Sequence, residues 1–278
     1  MMSKIVFISF ANKKYSAALR QIKNNVKPFS FNEIKIFTED DLPIEIKHKM
    51  KVCLYHRGYG YWRWKPYLVK TVLEDLDEGD ILIYSDAGNL WNASGVDKFH
   101  EYVSLLKDSS DSFLVFNQPF LEKDWTKGDV LSTLAVIDRF DLLMSLQLWA
   151  GCFFVKKTQE SISVVNMWNH YVNDFDDLVT DKSSSYPNLL GFQENRHDQS
   201  VFSLLVKQSH HKLISWEEIQ TIDGDWNKIV SQPILAKRAY KQKSYKNFNW
   251  LINKIQNYLI GLYLCHIKGF YFKDKISW

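Results

Sequence analysis

The stretch Gly79-Asp-Ile-Leu-Ile-Tyr-Ser-Asp-Ala-Gly88 places an acid directly after an apolar strand. Residues 81–84 are a β-branched and aromatic run, and Asp86 follows it with the small residues Ala87 and Gly88. In an open α/β sheet, ligands bind beyond the carboxyl ends of the strands. Asp86 is therefore predicted to face a crevice and to bind a metal ion or a ribose. A turn aspartate that caps the next segment would give the same pattern.

Strand-like and helix-like segments alternate between residues 4 and 216. The predicted strands cover residues 4–10, 33–37, 80–84, 112–117, 148–156 and 213–216. The predicted helices cover residues 12–24, 43–56, 66–76, 96–106, 130–143, 159–175 and 198–208. This alternation is typical of α/β proteins. We expect a mixed, mostly parallel sheet with helices on both of its faces.

Composition limits the class of protein and its compartment. The 278 residues suffice for one large α/β domain with an appendage. The three cysteines are far apart and odd in number, which excludes a disulfide framework and fits a reducing compartment. The apolar run at residues 5–11 is short and is followed by lysines, which indicates a first strand rather than a signal peptide. No run reaches the roughly 20 apolar residues of a membrane-spanning helix.

The chain changes character after Pro233. Residues 237–275 contain nine basic side chains and the single acid Asp274, although the whole chain has a formal net charge of only +3. Apolar residues within 248–263 recur at helical spacing, which predicts an amphipathic helix. We therefore divide the chain into a domain at 1–232 and a basic extension at 233–278. The extension is predicted to contact an anionic membrane surface, or to pack on the domain with solvated lysines.

Cations and aromatic rings are concentrated in Tyr61-Trp-Arg-Trp-Lys65. Arginine and lysine near a crevice can neutralise a diphosphate, and the adjacent rings can stack on a base or a sugar. Arg63 and Lys65 are therefore candidate diphosphate ligands. In the alternative interpretation, the rings anchor a loop and the two cations are solvated.

Two later segments also suit a ligand site. Leu148-Trp-Ala-Gly-Cys152 puts small residues ahead of a strand, where a substrate can lie against the backbone or where an ordinary turn occurs. Glu194-Asn-Arg-His-Asp-Gln199 opens an apolar helix with polar residues. The start of a helix favours anions, although His197, Asp198 and Gln199 could also be capping residues.

Taken in order, four segments resemble the GT-A class of nucleotide-sugar glycosyltransferases, particularly family 8 galactosyl- and glucosyltransferases and bacterial capsule or O-antigen enzymes. The segments are 61–65, 83–88, 150–152 and 198–200. Those enzymes have an aromatic–arginine segment, a strand ending in Asp-x-Asp, a small-residue turn and an Asp-Gln-Asp-like helix start. The resemblance covers residues 4–216. It implies a GT-A-like, Rossmann-like catalytic domain at 1–232.

The resemblance implies roles for the matching residues. Asp86 binds the metal ion or the donor, Arg63 and Lys65 hold the diphosphate, and Asp198 orients the sugar or the acceptor. In an inverting enzyme Asp198 would be the general base. The turn after the first strand contacts the nucleotide through Ala11, Asn12 and Tyr15. The remaining expected donor contacts are Ser85, Ala150, Gly151, His197 and Gln199.

The resemblance also implies a divalent ion, Mn²⁺ or Mg²⁺, that neutralises the departing diphosphate. Two positions depart from the family pattern, because Gly88 replaces the second aspartate of the metal motif and Ser200 replaces the last acid of the later segment. Asp86 would then hold the ion with another side chain, for which His266 is the main candidate and His197 the second. Alternatively, Asp86 binds the donor without a metal ion.

The expected function is transfer of a hexose, with galactose favoured, from a UDP-sugar to a growing surface glycan, with retention of configuration. The expected partners are the donor, a glycan or lipid-linked acceptor and an anionic membrane, with no nucleic acid. This places the protein in the cytoplasm, at the inner face of the membrane. The alternatives are a sugar-nucleotide nucleotidyltransferase, which usually has a glycine-rich loop where this chain has Phe10-Ala-Asn-Lys-Lys14, and a non-catalytic sugar- or membrane-binding module.

Overall fold

A mixed sheet organises the part of the chain that the computed structural model describes, residues 3–51 and 57–237. The strands are β1 (Ile5–Phe10), β2 (Glu33–Phe37), β3 (Ile81–Ser85), β4 (Leu90–Trp91), β5 (Phe113–Leu121), β6 (Leu146–Lys156), β7 (His211–Ile214) and β8 (Ile234–Leu235). Six of them form one sheet in the order β2-β1-β3-β6-β5-β7, and β4 pairs with β8 in a second sheet.

The direction of each strand decides which residues meet at the ligand edge. β1 runs parallel to β2 and β3, and β5 runs parallel to β7, whereas β6 is antiparallel to both β3 and β5. The expected mixed α/β sheet is therefore confirmed. Because Ser85 lies opposite Cys152, the first half of β6 adjoins the carboxyl end of β3.

Helices cover both faces of this sheet. They are α1 (Ser16–Asn25), α2 (Ile44–Lys51), α3 (Gly58–Tyr61), α4 (Trp64–Glu74), α5 (Val96–Lys107), α6 (Glu122–Trp125), α7 (Gly128–Thr133), α8 (Phe140–Leu143), α9 (Gln159–Asp174), α10 (Asp176–Val179) and α11 (Asp198–Val206). Helices α4, α9 and α11 pack on the face that carries Leu82 and Tyr84. Helices α1 and α5 pack on the face that carries Ile81 and Ile83. The alternation follows from the two-residue period of a strand.

Several element boundaries differ from the sequence prediction. α4 begins at Trp64, two residues before the proline that was expected to start it. The short segment α3 before it is not a regular helix, because five successive residues, 58–62, have positive φ. β5 continues to Leu121, past the predicted end at residue 117, and two short helices follow it before residue 134. β4 and β8 were not predicted.

By contacts, the chain divides into a first unit, Met1–Tyr240, and a second unit, Lys241–Trp278. The predicted border after residue 232 precedes β8, which pairs with β4 inside the first unit. The predicted amphipathic helix at 248–263 lies outside the described residues. None of the helices in the described ranges has the length and apolarity needed to cross a membrane.

Candidate active site

A buried lysine joins two aspartates at the carboxyl edge of the sheet. Lys65 Nζ lies 3.3 Å from Asp86 Oδ1 and 3.3 Å from Asp198 Oδ2, and it donates a hydrogen bond of 3.0 Å to Ala150 O. The hydroxyl of Tyr84 donates a hydrogen bond of 2.5 Å to Asp86 Oδ1. The side chains of Lys65 and Asp198 are 3% and 4% exposed, whereas that of Asp86 is 36% exposed. Asp86 is thus the member of the cluster that a ligand reaches first.

Three separate elements bring these side chains together. Asp86 follows β3, Lys65 lies in the first turn of α4, and Asp198 is the first residue of α11. The backbone N–H of Asp86 donates to Gly151 O of β6 at 2.8 Å. Asp198 O accepts a hydrogen bond of 3.0 Å from the Trp168 indole of α9. The cluster is therefore fixed by the sheet and by helices that pack on one face.

The charges in the cluster depend on one another. Burial disfavours the charged form of Lys65, but Asp198 and Asp86 outweigh burial and raise the pKa of its ammonium group. Burial raises the pKa of Asp198 to about 7, although Lys65 lowers it, and the nearby charge of Asp86 adds to the rise. Burial and Asp86 raise the pKa of Tyr84, so its phenol stays protonated and donates to Asp86. Near neutral pH, Asp198 can exchange a proton while Lys65 stays charged.

The predicted small-residue segment lies directly beside the cluster. Ala150 O accepts from Lys65, and Gly151 O accepts from both the Asp86 backbone and Asn89 Nδ2. A Cβ on Gly151 would lie 2.3 Å from the ring of Trp149, so this position requires glycine for packing. The glycine is thus explained by its neighbour on β6.

Two residues at the polar start of α11, His197 and Gln199, have different neighbours. Gln199 Oε1 accepts from the Ala150 N–H at 3.2 Å, and its Nε2 donates to Gln147 at 2.7 Å and to Gln118 at 3.0 Å. His197 instead bonds to Val179 O through Nδ1 at 2.7 Å and stacks on Trp62 with ring centroids 5.2 Å apart. Burial lowers the pKa of His197. Gln199 therefore belongs to the cluster, whereas His197 contacts Val179 and Trp62.

Arg63 does not lie in the cluster, which corrects its predicted role as a diphosphate ligand. Its side chain is fully buried, with Nη1 donating to Val172 O at 2.8 Å and Nη2 to Asp176 Oδ1 at 2.6 Å. The backbone O of Arg63 accepts from Asn173 Nδ2 at 3.1 Å. The guanidinium group joins the start of α4 to α9 and α10, so it is not available to a donor.

Ser85 is also turned away from the cluster, and its predicted donor contact needs the same correction. Its hydroxyl accepts hydrogen bonds from the Trp91 indole at 3.0 Å and from Asn89 Nδ2 at 3.1 Å. Successive side chains of a strand point to opposite faces. Because Tyr84 shares a face with Lys65, Ser85 lies on the opposite face.

The turn after β1 reaches the same edge of the sheet, because β1 and β3 are parallel neighbours. Ala11 is buried, and its N–H donates to Phe37 O at 3.3 Å. Asn12 Oδ1 is buried and accepts no hydrogen bond from the described residues. Tyr15 is 52% exposed. The three predicted nucleotide contacts thus lie at the carboxyl edge, with an acceptor oxygen that a ligand could satisfy.

The described residues do not fit a divalent metal site. Within residues 3–51 and 57–237, no three His, Cys, Asp or Glu side chains are grouped so as to hold a metal ion. The oxygens with which Asp86 and Asp198 approach each other already contact the ammonium group of Lys65. Gly88 supplies no ligand, although a Cβ there would meet nothing within 4 Å. His266, the predicted second ligand, lies outside the described residues.

The structure adds site residues that the sequence prediction missed. Tyr84 could have been found, since it lies two residues before Asp86 and so shares its side of the sheet. Gln118 and Gln147 come from neighbouring strands, and no local pattern in the sequence marks them. A cavity of about 530 Å³ lined by Glu101, Leu105, Asp108 and Lys212 lies at the other edge, where β5 and β7 begin, and is separate from this cluster.

No family model and no curated protein matches the chain. Among solved structures, it is similar to a glycosyltransferase involved in the glycosylation of the major capsid of PBCV-1, with 10% identity over 86% of this chain and 96% of that chain and a TM-score of 0.49. It is similar to the glycosyltransferase GlyE of Streptococcus pneumoniae TIGR4, with 10% identity over 96% of this chain and 64% of that chain and a TM-score of 0.47.

The galactosyltransferase LgtC, solved with donor and acceptor sugar analogs, is 11% identical over 92% of this chain and 95% of that chain, with a TM-score of 0.45. All three of these structures are glycosyltransferases. Because the identities are near 10% and the TM-scores are below 0.5, these likenesses assign no substrate or reaction to this chain.

Proposed function

We propose that this chain is a retaining glycosyltransferase that moves a hexose, galactose first among the candidates, from a UDP-sugar to a surface-polysaccharide acceptor such as O-antigen, capsule or lipopolysaccharide. The observation that carries the proposal is the cluster of Lys65, Asp86 and Asp198 at the carboxyl edge of an α/β sheet. Ligands of such sheets bind at this edge.

The chemistry of the cluster suits a sugar. A hexose presents several hydroxyl groups, each of which donates and accepts hydrogen bonds. Asp86 Oδ1 is bound by Tyr84 and Lys65, while the side chain is 36% exposed. Asp86 can therefore accept hydrogen bonds from donor hydroxyls while its orientation stays fixed. Gln199 adds an amide group beside it.

The transfer forms a bond between an acceptor oxygen and the anomeric carbon and breaks the bond from that carbon to the diphosphate. In a retaining enzyme, the proton of the acceptor hydroxyl leaves with the departing phosphate oxygen. In an inverting enzyme a positioned base takes it. Asp198, whose pKa is raised to about 7 by burial, is the candidate for that base. In a retaining enzyme no such base is needed, and Asp198 would instead orient the sugar.

The remaining donor contacts follow from the edge of the sheet. Asn12 has a buried acceptor oxygen without a partner among the described residues, which suits a donor group of a nucleotide. Of the two cations expected to hold the diphosphate, only Lys65 lies at this edge. We further propose that the basic residues between 237 and 275 bind anionic lipid at the inner face of the membrane.

Turnover of UDP-hexoses tests the proposal. The full-length protein is incubated with UDP-galactose, UDP-glucose and their relatives, and release of UDP is measured with and without glycan acceptors. We expect Asp86→Asn and Asp198→Asn to lower turnover by at least about a hundredfold with unchanged circular dichroism, because each removes a charge that contacts Lys65.

Asp80→Asn is the matched control. Asp80 is buried at the other end of the same strand, where it accepts from the Lys4 N–H at 2.8 Å, and its replacement should leave turnover intact. Near-normal turnover in Asp86→Asn would contradict the proposal. Tight binding of UDP-sugars without any release of UDP would instead indicate a non-catalytic binding module.

A further inference from the structure

The ammonium group of Lys65 occupies the space between the two carboxylates of the site. It contacts oxygens of Asp86, Asp198 and Ala150, at 3.3, 3.3 and 3.0 Å. An ammonium group has three protons and no acceptor. The contact with Ala150 O is a hydrogen bond and the two contacts with the carboxylates are ion pairs, and the Lys65 side chain is only 3% exposed.

A divalent ion and this ammonium group compete for the same oxygens. Mg²⁺ binds oxygen ligands at about 2.1 Å, so an ion shared by Asp86 Oδ1 and Asp198 Oδ2 would compete with Lys65 Nζ, which lies 3.3 Å from each of these oxygens. It would also place a double positive charge beside a buried single one, which is strongly unfavourable at low dielectric constant. Displacing the ammonium group would leave it buried and without its two carboxylates.

The neighbours of the pair reinforce this arrangement. Tyr84 donates a further hydrogen bond to Asp86 Oδ1, so that oxygen already has two positive or donor partners. Gly88, two residues after Asp86, contributes no carboxylate that could hold an ion on the outer side. In this cluster, the ammonium group of Lys65 neutralises Asp86 and Asp198.

We propose that Lys65 is the resident cation of the Asp86–Asp198 pair, and that the site binds its nucleotide-sugar donor without a divalent ion. The statement about the donor rests on the proposed function. The statement about the carboxylate pair does not, because it concerns the protein alone. Lys65 then acts as a positioning residue that fixes the spacing of the two acids.

A titration of full-length protein with Mn²⁺, followed by the electron paramagnetic resonance signal of the free ion, tests whether Lys65 is the resident cation of the carboxylate pair. We expect no saturable site in the wild-type protein below about 1 mM. Lys65→Met removes the charge and keeps a side chain of similar length, so it should create a Mn²⁺ site at least about tenfold tighter. Lys207→Met is the control, because it removes a buried ammonium group that faces a single buried acid, Glu122, and should create no site.

Calorimetric titration of wild-type protein with UDP, in EDTA and in Mn²⁺, tests whether the donor binds without a divalent ion. Equal affinities within about twofold support the inference. Loss of UDP binding in EDTA overturns it, as does a Mn²⁺ site in the wild-type protein that Asp86→Asn abolishes. A parallel loss in His266→Ala would identify the second ligand. This measurement stands even if Lys65→Met does not fold.

The inference and the proposed function fail separately. If the protein binds UDP only with Mn²⁺, the function stands and the inference is wrong. If UDP and UDP-sugars do not bind under any condition, the proposed function is wrong. The Mn²⁺ affinities of wild type and Lys65→Met then still show whether Lys65 occupies the place of a metal ion between the two carboxylates.

Discussion

At the scale of single residues, the site is a balance of buried charges. A lysine in the first turn of a helix is unfavourable with respect to the helix dipole, and a buried charge without a partner is more so. Lys65 is tolerated because Asp86 and Asp198 lie 3.3 Å from it. The same balance explains why Asp198, the more deeply buried acid, shows a pKa near neutral in spite of its cation.

Asp198 should therefore make the stability of the protein depend on pH. Because its pKa is about 7 in the folded protein and 3.8 is the ordinary value, the folded protein binds a proton that the unfolded chain releases between these pH values. The wild-type free energy of unfolding then falls as the pH rises through this interval, by at most about 1.4 kcal/mol per pH unit from this group.

Asparagine does not titrate, so Asp198→Asn lacks this pH dependence. The free energy of unfolding of the variant minus that of wild type should therefore increase by about 1–3 kcal/mol from pH 5 to pH 7. Urea denaturation at the two pH values measures the difference. Asp97→Asn, which changes an exposed acid in the first turn of α5, is the control and should show no such gain. A difference between Asp198→Asn and wild type that stays constant with pH would contradict the assignment.

At the scale of elements, the two cations before and within α4 separate because of helix geometry. Residues two apart on a helix do not share a face. Lys65 faces the strand edge, and Arg63 faces α9 and α10. The same reasoning applies to Ser85, which a strand's two-residue period places opposite Tyr84 and Asp86. The composition of residues 61–65 marked both cations as candidates, but only the direction of each side chain decides which cation reaches the site.

Arg63→Met should destabilise the protein and leave donor binding unchanged. The variant loses hydrogen bonds to Val172 O and Asp176, which is expected to lower the free energy of unfolding by about 1–3 kcal/mol. Urea denaturation measures the loss, and calorimetric titration with UDP measures binding. Asp176→Asn should have a smaller effect, because its side chain is 52% exposed and asparagine still offers an acceptor oxygen.

A more than tenfold weaker affinity for UDP in folded Arg63→Met would restore the diphosphate role that the sequence suggested. The comparison is sharp because Lys65→Met changes the neighbouring cation on the other side of the helix. Arg63→Met should lower the free energy of unfolding, whereas Lys65→Met should change the Mn²⁺ affinity of the site.

At the scale of the whole molecule, topology limits what the sequence reveals. The pattern of strands and helices predicted the α/β sheet, and the position of Asp86 directly after β3 follows from the same pattern. The reversed direction of β6 was not predictable, because a strand buried over almost its whole length has no pattern that indicates its direction. That reversal is what places Ala150 and Gly151 beside Asp86. The pairing of β4 with β8 joins residues far apart in the chain and left no local signal either.

The β4–β8 pair leads to a prediction about the extent of the first unit. Ile234 and Leu235 are 0% and 5% exposed, and their strand pairs with Leu90 and Trp91. Pro233 O also accepts a hydrogen bond of 2.9 Å from Asn92 N. A chain that ends at residue 232, the border predicted from composition, should therefore be less stable than a chain that ends at Tyr240.

Burial of two such side chains contributes about 1.5–3 kcal/mol each, so the shorter chain should lose about 3 kcal/mol or more of its free energy of unfolding. Urea denaturation of the two truncated chains at one pH measures the loss, and both lack residues 241–278, so the extension does not enter the comparison. Ile234→Ala in the longer chain should reproduce about half of the effect, because it removes one of the two buried side chains. Equal denaturation midpoints for chains 1–232 and 1–240 would show instead that the domain is complete without its last strand.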